Sequence, residues 1–451
     1  MKSINPFTGQ EIATYELMHD EQVNHVLANV AKAQVGWSRS DVNERTKLLL
    51  RLEQELQKRK EEFALLITQE MGKVFKEAIS EIEKCAWVCR YYADHAASML
   101  ADSSVNMDNG NAYVTYQPSG VVLAIMPWNF PFWQVFRAAV PVLVAGNGVL
   151  LKHAANVCGC SLAISRLFHT VGIDALDAVI IEHHQIESMI AQDSITGVTL
   201  TGSVKAGKTV ASLAGKHLKK SVLELGGSDP YLIFADADME HAAGCCMQSR
   251  MVNAGQSCIG AKRVIVQESV VDEFTNICLA LMHDVRCGDP TDQYVTIGSM
   301  VSKNARDALH QQVLTSVEQG AILLCGGKLP EDDSACYPAT LLANVTPGMP
   351  AFDEELFGPV LSIIAAKDQD EMIRFANHSS YGLGGAVFSS DVVRATHIAK
   401  TQLHVGSCAI NDFVRSDPRL PFGGVKHSGY GRELAKAGLL EFCNIKSVVE
   451  C

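Results

Sequence analysis

Between residues 121 and 225 short apolar runs alternate with amphipathic stretches of helical length. Strands are expected over 121–126, 149–151, 178–181, 197–201 and 221–225, and helices over 132–145, 161–171 and 207–218. Strands that alternate with helices need crossover connections, which cover both faces of a parallel sheet, so the fold class is α/β with a doubly wound sheet. Ligands in such sheets bind beyond the carboxyl ends of strands. Asn129, Lys152, Ser203 and Glu224 all fall at such ends.

A single core usually stops growing at a length below 451 residues, so at least two compact units are expected. The first is preceded by a helical pattern over 21–100, where Leu48, Leu49, Leu52 and Leu56 recur at spacings of three and four; this reads as scaffold without chemistry. Asn109-Gly110 reads as a turn, followed by a strand over 112–116. The second unit begins near Asp229-Pro230, with helices over 239–253, 272–284 and 303–319 and strands over 263–267, 360–365 and 385–388. Ser447-Val448-Val449 is strand-like.

Composition removes several function classes. The longest apolar runs, 121–128 and 138–145, fall short of the roughly 18 residues a membrane helix needs, and the N-terminus lacks a signal-like apolar run. A net charge of -12 without a basic run argues against a nucleic-acid surface. The 14 cysteines show neither Cys-x-x-Cys nor zinc-like spacing, so they are read as reduced thiols of a cytoplasmic protein with no metal site.

Three short stretches carry reactive groups. Cys258 follows Gly255-Gln256-Ser257 and precedes Ile259-Gly260, a tightly turned setting that can present a thiol to a ligand. The bland reading of any one cysteine is a small buried hydrophobe. Glu224 ends an apolar strand before Gly226-Gly227, where burial would raise its pKa toward that of a general base; a pair with Lys219 or Lys220 is the plain alternative. Asn129 lies in Pro127-Trp128-Asn129-Phe130-Pro131, either an ordinary turn residue or a fixed amide donor. The strand 198–201 runs into Gly202-Ser203-Val204-Lys205-Ala206-Gly207, which opens a helix, and a helix N-terminus favours phosphate. Gly-x4-Gly differs from the usual dinucleotide fingerprint, so an ordinary strand-to-helix turn explains it equally well.

Taken together, these stretches resemble the NAD(P)-dependent aldehyde dehydrogenase superfamily, and the resemblance extends through Asn411 and the stretch from Pro421 to Glu433. It implies two doubly wound α/β domains plus a small β oligomerisation element. The cofactor-binding domain would comprise 1–104 and 119–227, the catalytic domain 228–427, and the oligomerisation element 105–118 and 441–451. Cys258 becomes the nucleophile, Asn129 an oxyanion donor with the Cys258 backbone N–H, and Glu224 the base that activates the thiol or the water that cleaves the thioester. The resemblance places Trp128, Lys152, Gly202, Ser203, Gly207, Glu355 and Phe357 around NAD or NADP, with Lys152 at the adenosine ribose and Glu355 and Phe357 at the nicotinamide ribose. Ala155 stands where many NAD-preferring relatives carry a Glu that repels a 2′-phosphate. Two departures are a start close to Ile4-Asn5-Pro6-Phe7-Thr8-Gly9 without a longer arm, and Lys436 where several relatives have a second Glu.

For the substrate, Arg137 stands where succinate-semialdehyde dehydrogenases carry a carboxylate-binding arginine, and an arginine fork suits a planar carboxylate. A surface arginine or an interdomain ion pair is the plain alternative. Ser416 and Arg415 are lesser candidates for the same carboxylate. The resemblance thus implies oxidation of succinate semialdehyde, or of another short aldehyde such as glutarate semialdehyde, by a homodimer or homotetramer. Gly260, where a second cysteine would be needed, argues against a regulatory disulfide. A thiol hydrolase or acyltransferase is the rival enzyme class, but His153, His183, His184 and His283 form no recognisable dyad with Cys258. A non-enzymatic role would more naturally accompany loss of Cys258 or Glu224.

Overall fold

A computed structural model describes residues 1–450 other than 109 and 333. The expected strand over 121–126 is present as Val121–Met126, at the centre of a six-stranded sheet. Across that sheet the order is Gly429–Tyr430, Lys220–Glu224, Ile195–Thr201, Val121–Met126, Gly148–His153 and Leu176–Val179. Its strands pair in parallel except Gly429–Tyr430, which pairs antiparallel along the edge at Glu224.

Successive side chains of a strand point to opposite faces. Val122, Ala124 and Met126 accordingly join one core with the helix Trp133–Val144 and the helices Val42–Lys58, Lys60–Met71 and Phe75–Met99. Val121, Leu123 and Ile125 join another with the helices Asp20–Arg39 and Val204–Lys216. Covering both faces explains why these strands read as unbroken apolar runs. The helical pattern over 21–100 resolves into four helices, broken where Asp41 caps a new start by accepting the Asn43 N–H and where Gly72 turns at φ 79°.

The second sheet has the order Ile322–Cys325, Thr340–Ala343, Val360–Ala366, Ala261–Gln267, Asp229–Ile233, Gly384–Phe388 and Ser407–Ile410. Only its edge strand Ile322–Cys325 is antiparallel to its neighbour. Asp229–Ile233 starts where the second unit was expected, although its short apolar run gave no separate strand signal. A third, antiparallel sheet joins Cys443–Glu450, Asn111–Pro118 and Ser103–Asn106. Asn109 of the expected Asn109-Gly110 turn lies outside the described residues. No described helix is long and apolar enough to cross a membrane.

Candidate active site

The expected helix over 239–253 ends at Met251, and the chain then enters left-handed conformations at Asn253, Ala254 and Gly255, with φ of 55°, 52° and 73°. Such torsions are costly for side chains with a Cβ, so the surrounding contacts must hold them. Gly255 is also required sterically, because a Cβ there would lie 2.2 Å from the Gly358 backbone. Fully buried Arg250 clamps the two segments together: its guanidinium donates to Gly255 O at 2.6 Å, to Leu356 O at 3.0 Å and to Gly358 O. Beyond the turn, Lys262 donates to Ser257 O and Cys258 O, each at 2.7 Å, and pairs with Glu355 at 3.4 Å. The thiol-bearing loop is therefore tied on both sides to the segment carrying Glu355 and Phe357.

Cys258 forms part of the wall of two cavities. Burial pushes its thiol up to about 12, against the opposing charges of Arg137 and Lys262. A thiol raised in this way is protonated near neutrality, so any attack through it would need a base to take the proton. Asn129 is buried on the wall of the smaller cavity. One N–H of its amide donates to Gln256 O at 3.1 Å, and Asn253 Nδ2 donates to Asn129 O at 2.7 Å. With one hydrogen fixed, the second N–H of the amide is available to a ligand in the cavity.

Glu224 is buried, and neither carboxylate oxygen has a hydrogen-bond partner among the described residues. Its pKa lies well above the carboxylate range, first through burial and then through the charge of Glu433, with Arg137 and Arg432 opposing. A Cβ on Gly423 would come within 2.7 Å of Glu224 Oε1, so only a glycine leaves room for the carboxylate there. The second acid beside Glu224 is thus Glu433, paired with Arg137 at a buried site, while Lys436 lies over the Tyr116 ring at 5.5 Å. Glu433 ends the stretch from Pro421, three residues before Lys436.

The smaller cavity, of about 240 Å³, is lined by Trp128, Asn129, Gly202, Ser203, Glu355 and Phe357 together with Cys258. Trp128 meets Phe357 edge to face at 5.8 Å. Ser203 caps the helix Val204–Lys216 by accepting the Ala206 N–H at 3.2 Å, which turns the positive helix end toward the cleft. Gly207 has a different position: it is buried inside this helix, where a Cβ would meet the Leu225 side chain at 2.5 Å, so it is a packing glycine off the cleft wall. Lys152, next to last in its strand, is buried, its pKa lowered by burial, with no carboxylate paired to it among the described residues.

The larger cavity, of about 540 Å³, lies on the other side of the thiol. Its walls include Glu77, Lys84, Trp133, Arg137, Arg415 and Ser416. Glu81 accepts the N–H groups of Phe132 and Trp133 at 2.9 Å and pairs with Lys73, which fixes the start of the helix bearing Arg137. The Arg137 guanidinium stacks over Phe422 at 4.5 Å and donates to Thr201 Oγ1 at 3.4 Å, besides its pair with Glu433. Ser416 accepts from Lys84 Nζ at 2.8 Å and from Trp133 Nε1 at 3.1 Å. No histidine is on either wall; His153 is buried, donating from Nε2 to Pro131 O while its Nδ1 accepts the Ala154 N–H.

The chain is similar to known proteins over nearly its whole length. The chain is 42% identical to succinate semialdehyde dehydrogenase [NAD(P)+] Sad of Escherichia coli (strain K12), covering 99% of this chain and 97% of that one. It is 41% identical to the succinate-semialdehyde dehydrogenase [NADP(+)] of Deinococcus radiodurans, with 99% and 94% covered. Among solved structures, succinic semialdehyde dehydrogenase from Streptococcus pyogenes in complex with NADP+ superposes with a TM-score of 0.97 at 35% identity, covering 99% of both chains. The model of the aldehyde dehydrogenase family matches residues 1–448. With a thiol and an amide on the cavity walls, a buried carboxylate whose charge reaches that thiol, and a family match over residues 1–448, the chain belongs to the aldehyde dehydrogenase family.

Proposed function

We propose that this chain oxidises succinate semialdehyde to succinate with NAD(P)+, through a thioester on Cys258. The observation that carries this reading is the position of Cys258 on the wall common to a glycine- and aromatic-lined cleft and a cation-bearing cavity. The thiol attacks the aldehyde carbon, and the Asn129 amide with the Cys258 backbone N–H steadies the oxyanion. Gly202, Ser203, Glu355 and Phe357 would hold NAD(P)+ in the cleft, where it would supply the hydride acceptor. Glu224 then takes a proton from the water that cleaves the thioester, a role suited to a carboxyl whose pKa is raised by burial.

The cleft fits a dinucleotide: the nearest atom a Cβ on Gly202 would meet is 3.7 Å away, leaving the backbone open to close approach, and a helix N-terminus opens beside it. Lys152, with Ala155 rather than an acid near it, suits a 2′-phosphate, so we infer a preference for NADP over NAD. Arg137 and Ser416 are the residues we assign to the substrate carboxylate. We read the six-stranded sheet as the cofactor-binding domain, the seven-stranded sheet as the catalytic domain and the three-stranded sheet as the oligomerisation element of a homodimer or homotetramer. All described cysteines are free thiols, which supports a cytoplasmic setting.

Assays of succinate semialdehyde, glutarate semialdehyde and butanal with each cofactor test this reading. Succinate semialdehyde with NADP should give the highest kcat/KM, roughly 10²-fold above butanal. Equal turnover of butanal would sink the substrate assignment, and thiol-dependent turnover without NAD(P) would favour a hydrolase. A hydrolase using Cys258 would also need a partner histidine, which neither cavity wall supplies.

A further inference from the structure

The cations on the substrate cavity wall are not equivalent. Arg137 is paired with Glu433, and Arg415 is paired with Asp412 at 2.6 Å. Lys84, half-buried in the helix Phe75–Met99, has no carboxylate at ion-pair distance among the described residues. Its ammonium donates to Ser416 Oγ at 2.8 Å and lies 4.4 Å from the centre of the Trp133 ring. Of the carboxylates on the same wall, Glu81 is engaged by Lys73 and two backbone N–H groups, and Glu77 accepts the Asn253 N–H at 3.0 Å. An ammonium partly screened from water by an indole and a hydroxyl, with no carboxylate at ion-pair distance, carries a charge that an anion in the cavity before it would offset.

We propose that Lys84 is a specificity residue, the cation that selects an aldehyde with a carboxylate at its other end, while Ser416 fixes the ammonium on the cavity wall. The inference rests on the reading of Cys258 as the nucleophile toward such an aldehyde. Arg137, buried and already paired with Glu433, meets the same carboxylate from the cavity floor, so that Lys84 supplies the charge no protein group offsets. Trp133 carries the aliphatic part of the substrate and orients Ser416 through its indole N–H. Lys84 is thereby a third member of the carboxylate-binding group beside Arg137 and Ser416, contributed by a helix far from both in sequence.

Protonation of Lys84 gives a second readout. Burial, with the charge of Arg137 from the facing helix, brings the ammonium down to about 8, while Cys85 and Glu81 on its own helix and Asp417 beside Ser416 act in the opposite direction. Asp417 is itself paired with Arg419 at 2.6 Å. The neutral amine gains population as pH rises through about 8, so affinity for a carboxylate should fall there and affinity for an uncharged aldehyde should not.

The test compares succinate semialdehyde with butanal, which share a carbon skeleton, in the wild type, Lys84→Met and Lys84→Arg, each with saturating NADP. Lys84→Met should raise KM for succinate semialdehyde roughly 10- to 100-fold, the size expected on losing a charge-assisted hydrogen bond, and leave KM for butanal within about twofold. Lys84→Arg should restore most of the preference and remove the rise in KM above about pH 8, because guanidinium stays charged. Equal effects of Lys84→Met on both aldehydes would overturn the proposal. If that variant does not fold, the wild-type profile decides: a KM for succinate semialdehyde that is flat through about pH 8 also overturns it. A wild type that shows no preference for succinate semialdehyde would instead reject the substrate reading itself.

Discussion

The cofactor cleft and the substrate cavity meet at Cys258 but are built from different material. Backbone dominates the cleft: Gly202 and the helix end at Ser203 leave room for a ligand to approach the main chain, Gly226 makes space for the Glu355 carboxylate, and two aromatic rings frame the opening. Long side chains dominate the cavity, where Glu77, Lys84, Trp133 and Arg137 project from two neighbouring helices. A backbone site can persist while surface sequence drifts, since what it needs is space and N–H groups. A side-chain site changes its preference with a single substitution, so one thiol can serve many aldehydes by changing what lies on one side of it.

The sharpest way to break this division is at the wall the two sites share. Cys258→Ala should lower aldehyde oxidation by about 10⁴-fold or more while leaving NADP affinity, read by protein fluorescence, within a few-fold. Turnover that survives this substitution would end the thioester mechanism. Next in size, Glu224→Gln should reduce kcat by about 10²-fold and flatten its rise with pH. The sign follows from protonation: a base with a raised pKa works only above that pKa, so wild-type kcat climbs as pH rises, and the amide has no such step. A climb that persists unchanged in Glu224→Gln would assign the base elsewhere. The smallest effect should come from Gly207→Ala, where the new methyl meets Leu225 and costs about 1–3 kcal/mol of stability by denaturant unfolding. Its KM for NADP should move less than threefold, roughly 0.6 kcal/mol; a tenfold rise would return Gly207 to the cleft.

The same contrast explains what could be read from sequence. Asn129 and Cys258 lie in short stretches where Pro or Gly fixes the main chain, so chemistry and local geometry are neighbours in the chain. The strands around them were legible because parallel strands covered on both faces are continuously apolar. Lys84 had no such signal: it occupies one turn of a long amphipathic helix whose pattern reports only packing, and its meeting with Ser416 is a tertiary event. Gly207 had the opposite fault, since a glycine near a strand-to-helix turn fits a phosphate loop and a close helix–sheet contact equally well. The end of the helix at Met251 was missed because the left-handed Asn253 and Ala254 are held by Arg250, Glu77 and Asn129, contacts that no local propensity encodes.

The strand Lys220–Glu224 has as its edge neighbour Gly429–Tyr430, and the acid beside Glu224 comes from the same late segment. During synthesis the ribosome delivers Asn129 and Cys258 long before this segment. A nascent chain therefore carries an open sheet edge at its future base until nearly all of it has emerged, and contacts that distant in sequence form slowly. That interval is when the unpaired edge is most exposed to the wrong strand.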